Sequence, residues 1–162
     1  MEHENPVILA LYPNSIGIGY ACLQIPDRLL DFGVATAKPI SNGKLLRRAE
    51  RFLNYYKPKL VLLKETSELA NSGRNDRLIK AMTTLCDEMG LDTYRYTKQQ
   101  IKDTFEVFGA KTKFSMAEKM VKMLPDLAVR MPKVRKWYEK EDYNMVVFDA
   151  VALAVTHAHL TE

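Results

Sequence analysis

The chain has little cysteine, little histidine and no long uninterrupted apolar run, and each scarcity removes a class of protein. Among its 162 residues are two cysteines, Cys22 and Cys86, and three histidines. No CxxC spacing and no histidine cluster accompany them, so neither a zinc site nor a disulfide framework is expected. Reduced thiols are the default of a cytoplasmic protein. The opening MEHENP is acidic and polar, unlike a secretory signal. The apolar stretches are too short or too interrupted to span a bilayer, so no membrane association is expected. Internal repeats and low-complexity tracts are also missing.

What remains is the composition of an ordinary globule, 47% hydrophobic and 27% charged, of a size that suits a single domain over residues 1–162. The net charge of +4 is compatible with a nucleic-acid partner but does not by itself demonstrate one.

Apolar patterning orders the elements. VILALY (7–12) reads as a buried strand closed by the turn Pro13-Asn14-Ser15. Two further runs, 16–25 and 29–38, complete an antiparallel meander. Ser41 or Asn42 caps a helix reaching about Tyr56, and KLVLL (59–63) is continuous enough for a central strand. A helix near 75–90 stops at Gly90, and LDTYRY (91–96) is a short strand. Helices then start at Thr97 and near Ser115, and a last one closes the chain. The order βββαβαβααα predicts an α/β fold, a mixed five-stranded sheet flanked by helices on both faces.

Asp149 is the one formal charge between Asp142 and His157, in the otherwise apolar stretch YNMVVFDAVALAVTHAHL (143–160). A carboxylate there is expensive to bury alone. Either NMVVF is extended and Asp149 caps a helix beginning after it, or Asp149 pairs with a cation or faces a polar cleft. Ligands in open α/β sheets bind beyond the carboxyl ends of strands. Tyr12 ends the first strand, and Lys64 and Glu65 end the central one, so all three can converge with Asp149. His157 and His159, spaced i, i+2 on a helix, diverge and read as structural or surface residues.

Four segments carry a resemblance to the RuvC family of Holliday-junction resolvases. LALYPNSIGIGYACL resembles the family's opening strand and turn, and YTKQQIKDTFEVFG its Y-x-x-x-x-V-K segment ending in glycine. SMAEKMVKML resembles the following helix, and FDAVALAVTHAH the closing D-A-L-A-x-A-x-T-H-x-H. The resemblance implies a ribonuclease-H-like fold. It also implies divalent metal held by an acid ending the first strand, a glutamate ending the fourth, and two acidic (or His and Asp) positions around the last helix.

At those positions this sequence has Tyr12, Lys64 (with Glu65 one residue on), Val146 and Asp149. Two-metal hydrolysis needs oxygen ligands that fix two cations about 4 Å apart, and a lysine ammonium repels magnesium. Side chains alternate along a strand, so a one-residue slip exchanges Lys64 for Glu65. The expectation is a protein that binds branched or duplex DNA without efficient cleavage and needs no cofactor, with Lys64 or the Tyr12 hydroxyl approaching Asp149. Two alternatives stand beside it. One is an active junction endonuclease using Mg or Mn on Asp149, Glu65 and further acids such as Asp31 or Asp142. The other is a protein-interaction module on a reused nuclease scaffold.

Candidate phosphate contacts are Arg74, Asn75 and Arg77 after the central strand, and Lys98, Lys102, Lys111 and Lys113, where the resemblance suggests junction contacts. Lys133, Arg135 and Lys136 are interleaved with Trp137 and Tyr138, a pattern suited to phosphates and stacked bases. Met82, Leu85, Cys86 and Met89 form a stripe on the 75–90 helix that is usually core. The resemblance implies a homodimer through that helix, matching the two-fold symmetry of a four-way junction.

Overall fold

The computed structural model describes residues 6–24, 28–66, 73–132 and 143–161. Strand β1 (Val7–Pro13), β2 (Gly17–Gln24) and β3 (Arg28–Thr36) form the meander, followed by α1 (Asn42–Tyr56), β4 (Leu60–Lys64), α2 (Arg74–Glu88) and β5 (Asp92–Tyr96). The rest is helical: α3 (Lys98–Val107), α4 (Lys113–Met123), a 3-10 segment Pro125–Arg130, and α5 (Met145–Leu160). The sheet order is β3-β2-β1-β4-β5, with β4 and β5 parallel to β1 and the meander antiparallel. The α/β reading and the element order therefore hold, with the 3-10 segment added.

Alternation along the strands divides the core in two. Ile8, Ala10, Tyr12, Ala21, Leu62 and Tyr96 point to the face covered by α3, α4 and α5. Leu9, Leu11, Ile18, Cys22, Val61 and Leu63 point to the face covered by α1 and α2. Helix α5 is apolar almost all round because the sheet and the helices α3 and α4 surround it, as expected of an enclosed helix rather than a surface one. It starts four residues before Asp149. The extended reading of NMVVF is thus overturned, and Asp149 is no N-cap. Val146, Val147 and Phe148 are buried in the core, and their packing overrides the strand preference of β-branched residues.

The Met82–Met89 stripe divides, with Leu85 partly buried against the core and Met89 37% exposed. Met82 and Cys86 are buried on the α1 side of the sheet, while α2 leaves Arg77, Lys80, Thr84 and Glu88 to solvent. Burial pushes both thiols, Cys22 and Cys86, up to about 11, with the nearby Asp31 and Asp87 carboxylates adding to it. Among the described residues, no helix is long and apolar enough to cross a membrane.

Gly19 of β2, the ladder partner of Tyr12, is where α5 approaches the sheet. A Cβ at this position would lie 2.2 Å from the Val146 carbonyl oxygen. Gly43, in the first turn of α1, has only the Ser41 hydroxyl within 4 Å of such a Cβ, at 3.6 Å. Urea unfolding should separate the two. Gly19→Ala is expected to lose roughly 3 kcal/mol through overpacking, whereas Gly43→Ala should gain about 0.5–1 kcal/mol by restricting the unfolded chain.

Candidate functional site

The carboxyl ends of β1 and β4, the turn after β1, and the starts of α2, α3 and α4 surround a cleft beside α5. Its larger lobe, about 620 Å³, is lined by Tyr12, Asn14, Lys64, Asn75, Lys98, Lys113 and Asp149 among others. A smaller lobe of about 200 Å³ adds Lys102, Lys111 and Met116.

Local sequence sets each wall. The Asn14 side chain accepts hydrogen bonds from the Ile16 and Gly17 amides at 2.9 and 3.0 Å, folding the turn after β1. Thr97 and Thr112 each make a reciprocal capping box, with Gln100 and Ser115 respectively. These boxes fix Lys98 and Lys113 as the first residues of α3 and α4, at the cleft. Asp149 enters from the second turn of α5, with its side chain 17% exposed.

Ladder parity decides the choice left open between Lys64 and Glu65. Lys64 follows Leu62 onto the α5 face, and its ammonium sits 5.4 Å from the centre of the Tyr12 ring. Glu65 goes the other way. Its carboxylate lies 3.7 Å from Arg95 Nε and accepts from the Thr66 amide at 3.0 Å. Arg95 lies on the face opposite Tyr94 and Tyr96, whose rings meet His157 of α5. Glu65 is therefore not brought to Asp149, because neighbouring residues of an extended chain point to opposite faces. Val146, at the other expected ligand position, is buried against Gly19.

The expected neighbours of Asp149 are both in the cleft, but the ion pair comes from a third group, Lys113 Nζ, at 3.7 Å from Asp149 Oδ1. Lys64 lies below the usual lysine range, first because burial penalises its charge and then because the Lys98 ammonium is close. Asp76 and Asp149 act in the opposite direction, and Lys113 adds to the lowering. Asp76 escaped the reading of the sequence. It is 5% exposed in the first turn of α2, and its position four residues after Ser72 in a charged SGRNDR stretch looked like an exposed helix entry.

The other candidates separate. Lys98, Lys102, Lys111 and Lys113 all line the cleft, as does Asn75. Arg77 is exposed on α2. Arg74 is tied into the scaffold. Its guanidinium donates to Asn14 O at 2.5 Å, Asn42 Oδ1 at 3.0 Å and Asn75 Oδ1 at 2.9 Å. That clamp joins the turn after β1 to the starts of α1 and α2, so Arg74 positions the wall of the cleft. Asp31 bonds the Tyr56 hydroxyl on the α1 side of the sheet and is not a third acid beside Asp149. Lys133, Arg135, Lys136, Trp137, Tyr138 and Asp142 lie outside the described residues. His157 Nδ1 and the Tyr96 hydroxyl are 2.6 Å apart, and the His159 ring packs edge-on against Phe108, so both histidines serve the packing of α5.

This donor set suits a divalent cation poorly. Among the described residues Asp149 is the carboxylate lining the cleft, and the ammoniums of Lys64, Lys98 and Lys113 line the same lobe. Magnesium favours carboxylate and water oxygens, and each ammonium raises its electrostatic cost. No cluster of three or more His, Cys, Asp or Glu able to hold a metal occurs among the described residues. Among the described residues, the larger lobe is lined by three ammoniums and one carboxylate.

No protein-family model matches the chain, and no curated protein matches it by sequence. Solved structures do match. Thermus thermophilus RuvC is similar with a TM-score of 0.69 and 19% identity, over 96% of this chain and 95% of that one. T. thermophilus RuvC in complex with a Holliday junction substrate gives a TM-score of 0.71 at 19% identity, over 96% and 94%. The yeast mitochondrial Holliday junction resolvase Ydc2 gives 0.66 at 10% identity, over 98% and 80%. Identities this low speak for architecture alone, and the architecture of this chain is that of the RuvC-like Holliday junction resolvases.

Proposed function

We propose that the protein is a RuvC-like DNA-binding protein that engages branched or duplex DNA through its lysine-lined cleft and does not cleave it efficiently. The observation that carries this reading is the placement of Lys64, Lys98, Lys102, Lys111 and Lys113 around Asp149, the one lining carboxylate among the described residues. Such a cleft attracts phosphates but gives two catalytic cations no adequate set of ligands. The docking-module alternative calls for an apolar patch in place of the basic one, and the cleft keeps its lysines. If the protein meets a four-way junction as a two-fold dimer through α2, the contact uses Arg77, Lys80, Thr84 and Glu88, since Met82 and Cys86 are committed to the core.

A labelled four-way junction, incubated with the protein in magnesium and then in manganese, should be shifted on a native gel and remain intact on a denaturing one. Symmetric nicking would instead establish the active-endonuclease reading. Binding should weaken steeply with salt. Five lysines on phosphates correspond to a slope of about −4.5 in log affinity against log salt. Charge reversal at an exposed wall residue, Lys102→Glu or Lys111→Glu, should weaken binding to every sequence alike and flatten that slope by about 1. Anisotropy titrations over a salt series read both quantities.

A further inference from the structure

The starts of three helices meet at this cleft. Asn75 is the second residue of α2, Lys98 the first of α3 and Lys113 the first of α4, and all three line the same lobe. A helix start carries partial positive charge and favours acidic side chains. Neither α3 nor α4 has an acid in its first turn, and each opens with a lysine. The partly buried Lys64 ammonium lies close enough to both for their charges to oppose its protonation. Three ammoniums held together against local electrostatic preference form a conflict of the kind that functional sites retain. A bound tetrahedral anion resolves it, because one phosphate offers oxygens to several ammoniums and to helix starts at once.

We propose that the large lobe of the cleft is a phosphate seat that works without divalent metal. Lys64 and Lys98 take the phosphate oxygens directly, and Asp149 holds Lys113 in place instead of ligating a cation. The proposal deepens the DNA-binding reading, which it needs only to identify the phosphate as part of a DNA backbone. The Lys113–Asp149 separation of 3.7 Å is that of an ion pair longer than a good hydrogen bond. Lys113, with its side chain 54% exposed, can therefore turn from the carboxylate to an arriving phosphate. Asp149 then competes with the ligand for Lys113. This competition reverses the sign expected of a metal ligand.

The test uses the full chain with two probes, inorganic phosphate followed by titration calorimetry and a labelled DNA duplex followed by anisotropy, each in a chelator and in millimolar magnesium. Both probes should bind in the chelator at least as tightly as in magnesium. Lys64→Met should weaken both by about tenfold, the loss of one charge-assisted hydrogen bond, without lowering Tm, because it removes a crowded charge. Lys98→Met, at an exposed position, should act in the same direction and serves if the first variant folds poorly. Asp149→Asn should tighten both probes several-fold in the chelator.

Binding that requires magnesium, weakening by Asp149→Asn, or indifference to both lysine variants would each overturn the seat. Duplex binding that persists unchanged in the lysine variants would sink the seat and leave the DNA reading intact. Phosphate bound in the chelator with no duplex bound under any condition would sink the DNA reading and leave the seat standing.

Discussion

The close approach of α5 to β2 at Gly19 is the contact on which the cleft depends. With no side chain at Gly19, the backbone around Val146 can lie against the strand, and the Val146 oxygen occupies the space a Cβ would need. Gly19 pairs with Tyr12 across the ladder, and Asp149 follows Val146 by three residues, almost one helical turn. The contact thus places Asp149 beside the end of β1. A side chain at position 19 would have to push this backbone away from the strand.

Around that fixed carboxylate the chain arranges positive charge at short range. Capping boxes hold Lys98 and Lys113 at helix starts, and the sheet delivers Lys64 from below. Lys64 holds its proton less readily than an ordinary lysine, first because burial penalises its charge and then because Lys98 and Lys113 are close. Asp149 and the buried Asp76 offset part of this lowering. Among the described residues this balance differs from that of a metal centre, where carboxylates crowd together and the cation relieves them.

Residues that look alike in the sequence have different roles in three dimensions. Arg74 and Lys98 are both cations next to strand ends, yet Arg74 spends its guanidinium on three protein acceptors while Lys98 lines the cleft. Asp31 and Asp149 are both acids close to apolar residues, but ladder parity sends Asp31 to the α1 side, where Tyr56 binds it. Within the methionine and cysteine stripe of α2, Met82 and Cys86 enter the core while Met89 stays exposed. In each case a partner distant in sequence, and so invisible along it, decided the role.

Periodicity and capping residues were enough to determine the order of strands and helices, because alternation, helical spacing and Thr97, Ser41 and Gly90 are local signals. The apolar pattern also marked Asp149 as a charge requiring a partner, the strand ends pointed to Tyr12 and Lys64, and the family resemblance pointed to the lysines of α3 and α4. Only the tertiary structure decided which cation meets Asp149, that Lys64 and not Glu65 faces it, that Asp76 is buried nearby, and that the helix begins before Asp149. Those outcomes rest on strand register, on side-chain parity and on the depth to which α5 packs. Such quantities are set by contacts between residues far apart in the chain, where sequence pattern carries no direct trace of them.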